Sequence, residues 1–218
     1  METIGNIRTI NLENYDDKSF FPSNGIYLGD FESLLEDKFP ALLFLSKING
    51  LCFLTNKTNK EKMHKAMQNI VLRFLLEVPN GMAKLKMYDP EGLGDNLIFL
   101  AQISEKIKGE NILIDNSELK RMLQSSVSEI PNVIQKVLGH KYRDKNLIEY
   151  NKLAGELAKA YNLLLLADYP HSFTTETNQQ LFRILKSGNR AGFFTFISVD
   201  TTFEPQKHLR VLWHTEHS

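Results

Sequence analysis

The run of five apolar residues from Leu163 to Ala167 constrains the fold of this chain more than any other feature. A strand without polar alternation buries both of its faces, and such strands belong to parallel sheets that are covered by helices on each side. Asp168-Tyr-Pro170 follows the run with residues typical of a turn. The run therefore predicts a central strand of an α/β domain.

Apolar runs alternate with amphipathic helices along most of the chain, and this alternation predicts a mainly parallel sheet. The clearest helix runs from about Lys60 to Glu77, where apolar residues recur at three- and four-residue spacing. The other predicted helices run from a Ser117 cap and Glu118 toward Leu138 with an interruption at Pro131, from Leu147 to Ala160, and from Thr175 to Lys186. The predicted strands are Gly25–Asp30 (as an edge strand), Leu42–Ser46, Leu51–Thr55, Ala83–Tyr88, Asn111–Ile114, Leu163–Ala167, Phe193–Val199 and His208–Trp213.

Composition places the chain among ordinary globular proteins. The 218 residues include 26 Lys and Arg against 26 Asp and Glu, so the formal net charge is zero. This balance, with 42% hydrophobic residues, excludes a disordered chain and a strong basic field for non-specific nucleic-acid binding. We expect residues 1–24 to form an irregular lead-in and residues 25–218 to form a single domain that belongs to a longer chain.

The single cysteine and the absence of long apolar segments bear on the cellular compartment. Cys52 alone cannot form an intramolecular disulfide or a zinc site of several thiolates, and it favours a reducing compartment. No stretch approaches the ~20 apolar residues of a membrane helix, and the first residues lack a signal-peptide pattern. The sequence therefore predicts a cytoplasmic segment without membrane contact.

Ligands of parallel α/β sheets bind beyond the carboxyl ends of the strands, and the loop after Thr55 is the first such place. It joins a strand to a strong helix, where a phosphate-binding loop would need glycines and a Lys followed by Ser or Thr. The segment from Thr55 to Met63 contains no glycine. Aligning the strand ends puts Glu61 in place of the lysine, and a shift by one residue restores Lys62 but puts Met63 at the metal. Neither register gives a working loop.

The loop after Ala167 is the second place, where a nucleotide hydrolase would carry two acidic residues. Asp168 stands where the magnesium-organising carboxylate should be, but Tyr169 stands where the water-activating carboxylate should be. A tyrosine is not a general base at neutral pH. Two separate chemical requirements are thus missing from the two loops that should supply them.

The order of these segments resembles the FtsK/SpoIIIE family of RecA-like DNA-translocating ATPases from about Gly25 to Asp200. The resemblance includes the strand that ends in Asp89-Pro90, the strand Leu163–Pro170, and the turn Ser187–Gly192 before the last sheet strand. It is closest to degenerate FtsK-like modules of large bacterial proteins. It implies an α/β, RecA-like P-loop NTPase fold with a mainly parallel central sheet flanked by helices. Active family members are hexameric rings that use ATP and magnesium to move double-stranded DNA.

The resemblance also marks candidate residues, none of them catalytic and none a metal ligand. Residues of a vestigial nucleotide site are Thr55, Thr58, Lys60, Lys62 and Asp168, and possible interface or sensor residues are Asp89, Arg190 and Asp200. Several also have a purely structural interpretation: Asp89 and Asp168 suit turns, the lysines suit a solvated helix face, and Arg190 suits a surface turn. We expect no bound cofactor in this chain.

Three functions remain open from the sequence. The preferred one is a non-catalytic ATPase-like module that acts as a structural or regulatory part of a DNA-translocase-like assembly, with other FtsK-like modules or subunits as partners. The second is a peptide- or protein-binding module, as in FtsK-like secretion motors, which would use the vacated cleft. The third is an ATP-binding DNA translocase that holds nucleotide through Lys60 or Lys62. DNA contact is possible, but the charge balance does not favour it.

Overall fold

A five-stranded parallel sheet lies at the centre of the computed structural model, which describes residues 25–32, 38–79, 81–101 and 111–203. Its strand order is β3-β7-β6-β4-β5. The strands are β1 (Ile26–Glu32), β2 (Lys38–Leu43), β3 (Gly50–Thr55), β4 (Ala83–Tyr88), β5 (Ile112–Leu113), β6 (Tyr161–Tyr169) and β7 (Phe193–Asp200). The helices are α1 (Lys60–Glu77), α2 (Ile98–Ala101), α3 (Asn116–Asn132), α4 (Leu147–Ala154) and α5 (Thr175–Ser187).

Strand β6 is the middle of the sheet and is buried along its whole length. It pairs in parallel with β4 on one side and with β7 on the other. The pairing with β7 shifts register between Leu166 and Tyr169, so the strand bulges at Ala167 and Asp168. The doubly buried parallel strand predicted from the apolar run is confirmed.

Helices cover both faces of this sheet. On one face, α1 buries Met67, Val71 and Phe74 against the sheet. On the other, α3 and α5 pack together over the sheet and bury residues such as Leu123 and Ile184. Because helices shield each face, the central strands need no polar alternation. The predicted α/β fold is confirmed.

The amino-terminal strands differ from the prediction. Gly25–Asp30 was expected as an edge strand, but β1 pairs with β2 in a separate antiparallel two-stranded sheet. The strand expected at Leu42–Ser46 ends at Leu43, and Leu45–Lys47 forms a 3-10 turn. An apolar run of this length does not reveal whether it continues as a strand or turns, so periodicity alone could not place its end.

Two helices also depart from the predicted bounds. α3 begins after Asp115, whose side chain accepts the Ser117 amide at 2.7 Å, so Asp115 rather than Ser117 is the cap. The interruption expected at Pro131 takes the form of a π-helical turn over Val133–Leu138. α4 stops at Ala154 instead of Ala160, because Gly155 has a φ of 53° and the chain continues as a 3-10 turn.

Two sequence predictions concern residues that the structure does not describe. The lead-in over residues 1–24 and the strand His208–Trp213 lie outside the described residues. In the ranges that are described, no helix has the length and apolarity needed to cross a lipid bilayer.

Candidate functional site

The carboxyl edge of the sheet brings four of the candidate residues together. Thr55, Asp89 and Asp200 stand at or just beyond the ends of β3, β4 and β7, and Asp168 is the penultimate residue of β6. Because these strands are parallel, their carboxyl ends meet along one edge. The first turn of α1 begins over the same edge and brings Lys60 to it.

Lys60 is bound by two carboxylates at this edge. Its Nζ lies 3.0 Å from Asp168 Oδ2 and 2.6 Å from Glu91 Oε2. The Asp168 side chain is only 1% exposed, whereas that of Lys60 is 34% exposed. Burial tends to lower the pKa of Lys60, but the hydrogen bonds and charges of Glu91 and Asp168 outweigh it and raise that pKa above its ordinary value. Lys60 is therefore a firmly charged bridge between the β4 loop and β6.

His64 approaches the same aspartate from one helical turn further along α1. It is buried, and its Nε2 lies 3.4 Å from Asp168 Oδ1 and 3.0 Å from Ser198 Oγ. Ser198 Oγ also accepts the Asp168 amide at 2.8 Å. Neither His64 nor Ser198 is among the candidate residues predicted from the sequence. The i,i+4 spacing of Lys60 and His64 on one helix face was the available signal.

These contacts control the ionisation of Asp168. Burial alone would raise the pKa of Asp168, but hydrogen bonds from His64 and Lys60, and their charges, hold that pKa below its ordinary value. The backbone of Asp168 has a φ of 56°, in the left-handed region that aspartate tolerates better than most residues. The bulge and this backbone conformation direct a buried, ionised carboxylate toward α1.

Asp89 organises the loop that carries Glu91. It is fully buried, and its carboxylate accepts hydrogen bonds from the amide of Gly92 at 3.1 Å and from the amide and side chain of Asn96 at 2.9 and 2.8 Å. The Asn96 side chain also lies 3.4 Å from Asp168 Oδ2. Asp89 thereby shapes the loop that presents Glu91 to Lys60.

The turn between β3 and α1 is held by hydrogen bonds among its own residues. Asn56 Oδ1 accepts the amides of Thr58 and Asn59 and the Thr58 hydroxyl, at 2.9, 3.1 and 2.7 Å. Asn59 Oδ1 accepts the Asn56 amide at 2.7 Å, and the Lys60 amide donates to the Asn56 carbonyl at 3.0 Å. Of the five successive amides from Asn56 to Lys60, the four other than that of Lys57 are thus hydrogen-bonded within the turn.

Tyr169 turns away from this edge. Its hydroxyl donates to Asn178 Oδ1 of α5 at 2.9 Å, and its ring packs edge-on against Phe173. The residue is buried within the cluster on the α3–α5 side, whereas His64 contacts Asp168 from α1 on the opposite side. Burial raises the pKa of the Tyr169 hydroxyl. Tyr169, which the sequence analysis placed where a water-activating carboxylate would stand, is thus a core side chain.

The other candidates lie apart from the Lys60–Asp168 contact. Lys62 is exposed on α1. Asp200 accepts the amide and hydroxyl of Thr202 at 2.8 and 2.7 Å and so caps the turn after β7. Arg190 precedes β7 and therefore lies at the amino edge of the sheet, where its guanidinium donates to the carbonyls of Lys145 and Arg143.

Solved structures of similar fold are FtsK/SpoIIIE-type ATPase domains. The cytoplasmic domain of EssC matches with a TM-score of 0.68 and 13% identity over 87% of this chain. EccC of Thermomonospora curvata (ATPases 2 and 3), in complex with a signal sequence peptide, matches with a TM-score of 0.59 and 12% identity over 87% of the chain. The pCW3 conjugation coupling protein TcpA, solved with ATPγS, matches with a TM-score of 0.56 and 17% identity over 85% of the chain.

The match concerns one part of larger proteins. This chain spans 36% of the EssC domain, 33% of the EccC chain and 51% of the TcpA chain. No family model and no curated protein sequence matches it. Structural similarity therefore confirms the RecA-like, P-loop ATPase type of fold that the sequence resemblance implied. At such low sequence identities, the similarity establishes the fold alone.

Proposed function

We propose that this chain is a non-hydrolysing ATPase-like module that serves as a structural or regulatory part of a larger translocase-like assembly. The contact of Lys60 with Asp168 and Glu91 carries this proposal. In P-loop ATPases the lysine cradles phosphates and an aspartate helps to hold magnesium. Here Lys60 is instead paired with carboxylates of the protein itself, so the fold keeps its scaffold without a nucleotide.

The surrounding residues do not fit a magnesium nucleotide. A phosphate-binding loop presents free amides that a glycine-rich backbone turns toward the ligand. The amides of Asn56, Thr58, Asn59 and Lys60 are already hydrogen-bonded within a turn that contains no glycine. Binding of a triphosphate would have to break these bonds and the Lys60 ion pairs before gaining any contact.

Nucleotide binding and turnover by the purified chain test the proposal. We expect a flat calorimetric titration with Mg²⁺-ATP and with a non-hydrolysable analogue up to millimolar concentration, and no phosphate release above buffer. A P-loop ATPase measured in parallel verifies the reagents. Magnesium-dependent binding that Lys60→Ala abolishes and the exposed-site control Lys65→Ala preserves would overturn the proposal and favour the unconventional ATP-binding translocase.

A specific observation favours peptide binding as a second candidate. Leu93, Ile98 and Phe99, in the segment that follows Asp89, are 73%, 48% and 45% exposed. Several exposed large apolar side chains within one short segment are a feature of many protein-interaction sites. The similar EccC structure holds a signal sequence peptide. Binding of an apolar-rich peptide from a partner module, lost in Leu93→Asp and kept in the distant Leu157→Asp, would support this role; equal binding by both variants would contradict it.

A further inference from the structure

The connection between the π-helical turn and α4 carries a concentration of positive charge. Residues 136–145 include four lysine or arginine side chains and one aspartate, although the whole chain has no net charge. The four cations are Lys136, Lys141, Arg143 and Lys145, of which the first three are exposed and the last is half-buried. None of the four forms an ion pair with a residue that the structure describes. This segment, the basic turn, therefore presents positive charge to solvent.

Arg190 adds a fifth positive charge and holds the shape of the basic turn. Its Nε donates to the Lys145 carbonyl at 3.3 Å, and a terminal guanidinium nitrogen donates to the Arg143 carbonyl. Because these bonds use backbone carbonyls, the side-chain charges of Arg143 and Lys145 remain available to a ligand. Tyr142 anchors the middle of the turn, where its ring meets that of Tyr150 of α4 edge-on, with 5.2 Å between the ring centroids. Tertiary contacts thus set the conformation of the basic turn.

The backbone of the basic turn also offers hydrogen-bond donors. Four of its amides donate to no group among the described residues, namely those of His140, Lys141, Arg143 and Asp144. In the turn between β3 and α1, by contrast, four of the five successive amides are hydrogen-bonded internally. Proteins commonly bind anions where backbone N–H groups lie beside cationic side chains. The charge and the amide donors of the basic turn therefore indicate an anionic ligand.

We propose that the basic turn and Arg190 form a docking surface for an acidic peptide segment of a partner protein. Arginine and lysine bind carboxylates through charge-assisted hydrogen bonds, and the amides of the turn supply donors for the same oxygens. A nucleic acid fits this surface less well. Its phosphates follow a long backbone and require basic residues along a stripe, whereas the cations here are confined to one turn that also contains Asp144. The surface lies at the amino edge of the sheet, opposite the Lys60–Asp168 contact, so its role is independent of nucleotide binding.

Fluorescence anisotropy of a labelled peptide of alternating glutamate and alanine, titrated with the full chain, tests the proposal. We expect saturable binding that the double variant Lys141→Glu, Arg143→Glu weakens at least about tenfold. The matched control is Lys57→Glu, Lys65→Glu, which makes the same change in net charge at exposed residues near the carboxyl edge. We expect this control to bind within about twofold of the native chain. Equal losses in the two double variants would show an effect of net charge alone and overturn the proposal.

Arg190→Lys separates a shaped surface from a diffuse positive field. The lysine keeps the charge, but its ammonium group does not reproduce the fixed fork that the guanidinium presents to the two carbonyls. We expect the affinity for the acidic peptide to fall at least about threefold while the circular dichroism spectrum stays unchanged. Unchanged affinity would contradict the role of Arg190. Tighter binding of a labelled oligothymidylate than of the acidic peptide would overturn the proposal and assign the surface to nucleic acid.

Discussion

The Nζ of Lys60 lies 3.0 Å from Oδ2 of Asp168, a residue with a side chain that is 1% exposed. This contact joins the start of α1 to the end of β6, and Glu91 extends it to the loop after β4. Segments that are remote in sequence are therefore held together by charges at the edge where related folds hold nucleotide. Under the proposed function, these ion pairs stabilise the folded protein in the absence of a nucleotide.

Removing the lysine should destabilise the protein more than removing an ordinary surface lysine. In Lys60→Met the buried Asp168 carboxylate keeps, among the residues that the structure describes, His64 and Asn96 near its oxygens. Loss of one partner of a buried ion pair costs about 3 to 5 kcal/mol, and because Lys60 is partly exposed we expect about 2 kcal/mol here. Urea denaturation measures the difference in the free energy of unfolding.

Lys65→Met is the matched control, since Lys65 forms an exposed i,i+4 pair with Glu61 on the same helix. Exposed pairs of this kind contribute about 0.3 to 0.5 kcal/mol. Equal losses in Lys60→Met and Lys65→Met would show that the Lys60–Asp168 contact has no special structural role.

The pH dependence of stability should report on Asp168. Although burial opposes ionisation, His64 and Lys60 hold the pKa of Asp168 below its ordinary value in the folded protein. The stabilisation is therefore present above the unfolded-state pKa of about 3.9 and is lost as the pH falls through the lower, folded-state pKa. We expect denaturation midpoints to fall more steeply below pH 4 for the native protein than for Asp168→Asn. Parallel curves would contradict this linkage.

The sequence predicted the sheet better than the site. Uninterrupted apolar residues in β6 and a regular apolar spacing in α1 report burial directly, so both elements were predicted from local sequence. Lys60 and Asp168 were also singled out, because strand ends are where parallel sheets place ligands.

The contacts of these residues depend on tertiary structure that periodicity does not contain. Glu91 reaches Lys60 only because Asp89 and Asn96 shape the intervening loop. His64 resembles any polar residue of an amphipathic helix until Ser198 and Asp168 are brought against it. Apart from the i,i+4 spacing of Lys60 and His64, contacts across three elements leave no local signal, so the sequence could indicate this edge but not the contacts between its side chains.

Gly92 should resist substitution because the Asp89 loop leaves no room for a side chain. A Cβ at this position would lie 2.2 Å from Asn96 Nδ2 and 2.7 Å from Asp89 Oδ2. Gly92→Ala would therefore displace Asn96 and leave part of the buried Asp89 carboxylate unpaired, at an expected cost of about 1 to 3 kcal/mol. Gly155→Ala, where nothing lies within 4 Å but φ is 53°, isolates the backbone cost of about 1 kcal/mol. Thermal unfolding in which Gly92→Ala is no worse than this control would contradict the packing argument.

Lys86 offers the opposite test, because its charge is buried in β4 and its ion pair is with a carboxylate that is itself partly exposed. Its side chain is 5% exposed, and its Nζ lies 3.2 Å from Ser126 Oγ and 3.7 Å from Glu129 Oε2. Replacement of a buried ion pair by apolar side chains is often neutral or stabilising, and here the partner Glu129 is 37% exposed, so water can solvate it once the lysine is gone. We expect Lys86→Met to change the free energy of unfolding by less than about 1 kcal/mol or to increase it, whereas Lys86→Ala should cost about 2 kcal/mol through lost packing. If Lys86→Met loses as much stability as Lys86→Ala in urea denaturation, the ammonium group rather than the side-chain volume holds β4 to α3.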